Sequence, residues 1–457
     1  MLEMFSALIA FINDRVLGYV LMAALISAGV YFTFATRFVQ FLRPREICKL
    51  MLGGDNKTKE KYQISPFQAF AISTASRVGT GNIAGVAIAI TVGGPGAIFW
   101  MWLIAVFGAA SAFAESTLAQ IYKVKTGKNF RGGPAYYIQT ALHNKPLARI
   151  FALSLIATFA FVFNSVQSNT IAQSMQATFA LDPLVTGMII AGCAALIIFG
   201  GLKRIAKFSA VIVPIFALAY IGITLVLLLL NITQLPHVLA LIFSDAFSWQ
   251  KLASGALGAT IMTGARRGLF SNEAGMGSAP NAAATAHTSH PVKQGYVQAI
   301  SVFVDTLIIC SCTAFIVLLA DYTHFAGVEG IALTQAALTS ELGPIGNYFI
   351  SASVLLFAFT SIIGNYYYGQ ANVEFLTRKR RVMLAFRLGV SVMILLGAVM
   401  QLKLAWGLAD LFMTVMALIN LYAIWSLRKE VIAALTDYRT QKRQGKNPVY
   451  KGVGVWE

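Results

Sequence analysis

The chain has 457 residues, of which 57% are hydrophobic and only 12% charged, about half the charge of an ordinary soluble domain. That composition excludes a soluble globular domain and implies a polytopic membrane protein. A formal charge of +17 would suit nucleic acid only if the basic residues were gathered on one exposed face among groove-reading or aromatic elements, and here they sit between apolar stretches.

In chain order, the first apolar run has Glu3 and Asp14 ahead of it and continues to about Phe41 without a small-residue cleavage signature. It reads as a retained span rather than a signal peptide. A bilayer-crossing helix needs about 20 apolar residues. Eleven stretches qualify, at 15 to 41, 66 to 92, 96 to 122, 149 to 180, 183 to 200, 206 to 231, 251 to 286, 294 to 320, 346 to 373, 382 to 402 and 404 to 427. Basic residues fall in alternate loops: Arg43 to Lys61, Lys123 to Arg131, Lys203 to Lys207, Arg378 to Arg381, and the tail from Arg428. The other loops hold acids, with Asp182, Asp245, Asp321, Glu329 and Glu341. The positive-inside rule therefore predicts an outer amino terminus and a cytoplasmic carboxyl terminus.

Two of these spans are interrupted by glycine, Val78 to Gly85 in one and Gly264 to Gly277 in the other. Unwound backbone survives at membrane depth only where protein or a water-filled cavity satisfies its polar groups. Two such breaks at matching places in two halves point to a transporter's binding site. Setting the first span aside, spans 2 to 6 and 7 to 11 form two groups of five with opposite topology, each opening on a broken span. The predicted architecture is all-α, a leucine-transporter-like inverted five-plus-five repeat preceded by one extra helix. Its parts are an extra helix (1 to 42), a cytoplasmic loop (43 to 65), a first repeat (66 to 232), an extracellular loop (233 to 250), a second repeat (251 to 428) and a cytoplasmic tail (429 to 457).

In the first break, opening the helix turns the carbonyls of Ala75 and Val78 toward a cation. The amides around Gly79 to Asn82 then open the outer half-helix, whose positive dipole end suits a carboxylate. Thr80, Gly81 and Asn82 are therefore substrate-binding candidates. The alternative is a close-packing face formed by Gly81 and Gly85, which leaves Thr80 and Asn82 unexplained. A nucleotide loop is excluded by the spacing and by the lack of a following Lys-Ser/Thr.

In the second break, Thr263 and Gly264 are the candidates for the unwound turn, with Ser271 and Asn272 as caps of the inner half-helix. Arg266, Arg267 and Glu273 are costly inside an apolar span and should face protein or water. The alternative makes 265 to 281 a cytoplasmic loop, with its arginines as topology markers and Glu273 as a cap or a gate ion pair.

Elsewhere, Thr360 and Ser361 in span 9 offer two adjacent hydroxyl oxygens, the hard ligands sodium prefers, although such hydroxyls commonly bond the carbonyl one turn back. Asn365 lies one turn further on. Asn164 and Gln167 share a face of span 4 and bind either substrate or a neighbouring helix. Asp305 lies near the middle of span 8, where an acid is a functional candidate by default; it is either an ion-pair partner of Arg77 or Arg266, or a proton or sodium site. Glu115 and Asp410 are expected to be interfacial. Cys48, Cys193, Cys310 and Cys312 lack metal-site or disulfide-framework spacing and read as packing residues.

Several long motifs now identify the chain as similar to the alanine or glycine:cation symporter family. They are Gly79-Thr-Gly-Asn-Ile-Ala-Gly-Val86, Gly93-Gly-Pro-Gly-Ala-Ile-Phe-Trp-Met-Trp102, Ala114-Glu-Ser-Thr-Leu-Ala-Gln120, Arg131-Gly-Gly-Pro-Ala-Tyr-Tyr137 and Arg267-Gly-Leu-Phe-Ser-Asn-Glu-Ala-Gly-Met-Gly-Ser-Ala-Pro280. The resemblance implies eleven spans, a leucine-transporter-like core, a prokaryotic plasma membrane, and sodium as the co-transported ion with alanine or glycine. It assigns Ala75, Val78, Thr360 and Ser361 to the sodium site and sets Gln167 near the substrate. Asn365 stands where some members carry an aromatic. The expected function is sodium-coupled import of a small neutral amino acid by alternating access. The alternative is proton coupling through Asp305 or Glu273. A channel lacks its repeated carbonyl filter. An enzyme lacks a catalytic set, since all five histidines fall in loops.

Overall fold

The computed structural model describes residues 8–9, 11–13, 17–41, 44–51, 64–127, 129–199, 202–452 and 454–456. Glu3, Asp14, Arg43, Lys57, Lys59, Lys61 and Lys128 lie outside the described residues, as does most of the expected 43 to 65 loop.

The structure is mostly helical, with one short antiparallel hairpin pairing Val124–Thr126 with Asn129–Arg131. Among the described residues, eight helices are long and apolar enough to cross a membrane, or nine when the bent pair Pro66–Arg77 and Gly81–Gly93 is taken as one span. Pro183–Ile198 is a shorter apolar helix of 16 residues. The stretch expected as a seventh span divides into Trp249–Ala253, Ala256–Asn272 and Ala279–Ala283. With two arginines and a turn inside it, it does not form one continuous apolar helix.

Two long helices organise the packing. Gly96–Ile121 lies against Pro291–Phe303, Ala256–Asn272 and Gly18–Ala35, while Pro344–Leu376 lies against Asn164–Phe179, Ile331–Leu342, Leu202–Leu230 and Pro66–Arg77. Lipid supplies no hydrophobic drive between helices, so close contact between small residues carries the association. Gly364 illustrates this: a Cβ there would come 2.9 Å from the Ser76 backbone nitrogen. Its side of Pro344–Leu376 is thereby seated on the end of Pro66–Arg77. Three short π-helical turns, Gly81–Gly85, Ile156–Phe163 and Val304–Cys310, interrupt the regular helices. Such turns concentrate at functional sites.

The two interrupted segments run side by side in opposite directions. Gly93 faces Thr263, Gly81 faces Ser271 and Ser76 bonds Glu273, so contacts along the first segment are met in reverse order along the second, and a short parallel bridge joins Ile64 to Ala286, with the His287 amide donating to the Ile64 carbonyl at 3.0 Å.

Candidate functional site

The first break begins where Pro66–Arg77 ends. A capping box of Ser65 and Gln68 starts this helix, and Val78 leaves helical geometry at φ −75°, ψ 93°. The chain then turns by 51° into Gly81–Gly93. Released amides are taken up at once: Gly79 N–H donates to Asn82 Oδ1 at 2.9 Å, and Thr80 N–H donates to Gln167 Oε1 at 3.0 Å. Gln167 is therefore brought to the break. Asn164 donates instead to the Ala160 carbonyl of its own helix, and its Oδ1 is buried without a partner.

Oxygen atoms crowd the other side of the turn. Ser361 Oγ lies 2.9 Å from the Ala75 carbonyl, 3.2 Å from that of Val78 and 3.0 Å from that of Phe357. One hydroxyl proton cannot satisfy three carbonyls. Thr360 Oγ1 adds a fifth oxygen, donating to the Phe357 carbonyl at 2.8 Å. Buried hard oxygens with fewer protons than acceptors are the donor type that small hard cations take. Gly79 is obligatory here, since its Cβ would stand 2.3 Å from Ser361 Oγ and 2.8 Å from Gln167 Oε1.

The second break lies elsewhere than the sequence suggests. Ala256–Asn272 runs unbroken through Thr263 and Gly264, whose neighbours are Gly93 and the Ala97 and Trp100 region of the Gly96–Ile121 helix. Gly264 serves close packing: a Cβ would meet the Ala97 carbonyl at 2.4 Å. The unwinding occurs from Glu273 to Ser278, with positive φ at Glu273 (55°), Gly275 (85°) and Gly277 (84°). At Gly277 both the left-handed backbone and a Pro134 ring carbon, 2.7 Å from where a Cβ would lie, exclude a side chain.

This second turn is filled by the protein's own carboxylates. Glu115 accepts from the amides of Gly275 at 3.3 Å and Gly277 at 3.0 Å and from Asn420 Nδ2 at 2.7 Å. Successive amides of this kind form an anion-binding nest. Glu273 accepts from Ser278 at 2.6 Å and Ser76 at 2.7 Å. Ser76 also lies 2.7 Å from Asn365 Oδ1, so one hydroxyl joins the first half, the second break and the Pro344–Leu376 helix. Glu115 is thus wholly buried rather than interfacial.

Asp305 does not pair with arginine. It accepts from Asn82 at 2.7 Å, Ser271 at 2.7 Å and Thr306 at 3.0 Å. Arg77 binds Ser301, leaves Nε and Nη2 unpartnered, and is the buried charge felt by Glu115, Glu273 and Asp305 together. Arg266 donates to the Asn13 carbonyl, and Arg267 pairs with Asp410 while its guanidinium stands 4.5 Å over Trp406. Both arginines belong to the helix, not to a loop, and Asp410 is drawn inside by Arg267. The rings of Phe163, Phe270 and Trp406 stack in series at 4.5 and 4.6 Å. Gly81 faces Phe270 and Gly85 faces Trp406, so this aromatic row covers the first break. No local signal marks Phe270 or Trp406, because both act across long sequence separations.

Residues 2–452 match the sequence model of the sodium:alanine symporter family. The chain belongs to the sodium:alanine symporter family. It is 51% identical over 454 residues to a Bacillus subtilis protein named "Probable sodium/glutamine symporter GlnT", covering 99% of this chain and 95% of that one. It is 46% identical to the "Amino-acid carrier protein AlsT" of the same organism, covering 99% and 96%, and 35% identical to the "Sodium/alanine symporter AgcS" of Methanococcus maripaludis, covering 97% and 99%. The sodium:alanine symporter family consists of membrane transporters, not enzymes, and sodium is its co-transported ion.

Proposed function

We propose that this chain is a sodium-coupled importer of small neutral amino acids, with alanine and glycine preferred, acting in a prokaryotic plasma membrane by alternating access. The observation that carries this reading is the oxygen cluster of Ala75, Val78, Thr360 and Ser361 beside the amides of the first break. Sodium bound there pins the broken span to the Pro344–Leu376 helix and stabilises the substrate-competent conformation through differential affinity for the two states. One sodium ion entering down a 100 mV inside-negative potential contributes about 2.3 kcal/mol.

The substrate carboxylate is assigned to the amide end around Thr80, Gly81 and Asn82, with Gln167 as the flanking side chain. Asn164 and Asn365 each keep an unpartnered buried atom and are assigned to the pocket wall. Thr263 and Gly264 keep a supporting role, as the contact between Ala256–Asn272 and Gly96–Ile121. Glu273 and Arg267–Asp410 are assigned as gates on opposite sides of the first break. The antiparallel run of the two broken segments supports an inverted five-plus-five repeat within eleven crossings, formed by the nine long spans, Pro183–Ile198 and the divided seventh segment. The basic loops support an outer amino terminus and a cytoplasmic tail.

Glutamine is the second reading, favoured by the 51% relative. The small-substrate reading is kept first because Gly79 and Gly81 are closely packed, a Cβ at either one meeting Ser361 or Phe270. Labelled alanine uptake into proteoliposomes, with and without a sodium gradient at fixed pH and against unlabelled competitors, decides among these. Competition by alanine and glycine is expected. Stronger competition by glutamine would replace the substrate assignment, and sodium-independent, pH-driven accumulation would return the reading to proton coupling.

A further inference from the structure

A polar cavity lies away from the breaks, at the shared end of Pro183–Ile198, Pro344–Leu376 and Arg380–Ala398. Its volume is about 950 Å³, and it is lined by Arg131, Arg387 and the run Arg378 to Arg381, with Glu374 as the sole acid. That acid is already engaged by Arg131 at 2.6 Å. The run Arg378 to Arg381 has no ion pair among the described residues.

Arg387 sets this cluster apart from an ordinary basic loop. It lies within the Arg380–Ala398 helix, donates from Nε to the Tyr366 hydroxyl at 3.0 Å, and holds its guanidinium 4.9 Å over the Phe199 ring. A positive charge fixed in this way, two turns inside an apolar helix, needs an anion at the level of the membrane interface. The remaining walls are Thr126 and Thr377 and the apolar Phe199, Met383 and Leu384. From Leu384 an outward stripe continues at four-residue spacing through Leu388, Val392 and Leu396, each about half exposed. Residues so spaced share one helix face. A basic cavity opening onto an apolar stripe matches one ligand chemistry, a phosphate diester carrying acyl chains.

We infer that this cavity binds the headgroup of an anionic phospholipid, with Arg387 and Arg378 to Arg381 on the phosphate and an acyl chain along the Leu384 to Leu396 stripe. A soluble phosphate would leave the stripe without a role. Basic pockets between membrane helices recognise such headgroups generally.

The test is ligand titration of the purified full chain in neutral detergent, read by native mass spectrometry, with phosphatidylglycerol, phosphatidylcholine and glycerol 3-phosphate as probes. The wild type should prefer phosphatidylglycerol over phosphatidylcholine. Arg378→Gln/Arg381→Gln/Arg387→Gln should weaken phosphatidylglycerol binding about tenfold or more while retaining sodium-dependent uptake in phosphatidylcholine vesicles. Lys429→Gln/Arg443→Gln/Lys446→Gln, which removes equal charge from an exposed face elsewhere, should retain the preference. Arg387→Lys keeps the charge, loses the stacked planar fork and should weaken binding severalfold, which serves if the triple variant fails to fold. Unchanged selectivity in the cavity variants, or an equal loss in the control, overturns the site. Glycerol 3-phosphate binding as tightly as the lipid overturns the lipid assignment.

Discussion

The two helix breaks differ in what fills them. At the second, from Glu273 to Ser278, the opened groups are met by the protein: Glu115 sits on the Gly275 and Gly277 amides, Asn420 joins Glu115 to the Gly275 carbonyl, and Ser278 and Ser76 hold Glu273. At the first, Ser361 Oγ faces the Ala75 and Val78 carbonyls with a single proton to give, and Thr360 beside it donates its own to the Phe357 carbonyl. One break is internally satisfied and shaped to hold a turn; the other retains unspent ligand capacity. A glycine-broken span therefore does not by itself mark a cargo site. The surplus of acceptors around the first break is what supports the sodium site proposed there.

The largest expected effect comes from closing the first break. Gly79→Ala should bring uptake to background, because the new Cβ displaces Ser361 or Gln167; near-wild-type uptake would show that the oxygen cluster is not needed. Next, Glu115→Gln should lower stability by about 3 kcal/mol, the scale of hydrogen bonds lost to a charged acceptor, measured as a fall in melting temperature. The residual uptake should keep its sodium half-saturation, and a shift there would merge the roles of the two breaks. Gly81→Ala, whose Cβ would lie 3.0 Å from the Phe270 ring, should raise the KM for alanine about tenfold with sodium half-saturation unchanged.

The smallest effect concerns Lys123, which donates to the Ala286 carbonyl beyond the second break at 3.2 Å. Burial pushes its ammonium down to about 7, whereas an unfolded lysine titrates near 10.4. Between those values the unfolded chain binds more protons, so stability rises with pH across that window and is flat below it. Lys123→Met should flatten the slope of melting temperature between pH 7 and 10. A slope unchanged by the substitution would remove Lys123 from the support of the second break.

Much of the scaffold is legible in the sequence because lipid leaves the backbone few options. Apolar length locates the long spans, and the density of Gly, Thr and Asn from 79 to 82 locates the first break. Ser361 could be chosen beside Ala75 and Val78 because hydroxyl and carbonyl oxygens share a cation preference. The second break was harder to place: Gly264 and Gly277 look alike as letters, yet one accommodates the Ala97 carbonyl and the other a left-handed turn. Only the pair Gly275 and Gly277, two residues apart, carries the signature of a nest. Glu115 and Asp305 take their partners from other helices, 160 residues away for Gly275 and 223 for Asn82. Local pattern holds no trace of such pairings, so the acids could be flagged but not matched.

The first break is proposed as the sodium-responsive one. Its most direct test is the sodium half-saturation of alanine uptake in proteoliposomes for Thr360→Ala/Ser361→Ala set beside Ser278→Ala, which removes a hydroxyl from the second break. A sharp rise in the sodium requirement confined to the Thr360 and Ser361 variant is predicted. Wild-type sodium dependence in that variant, or an equal rise in Ser278→Ala, would contradict it.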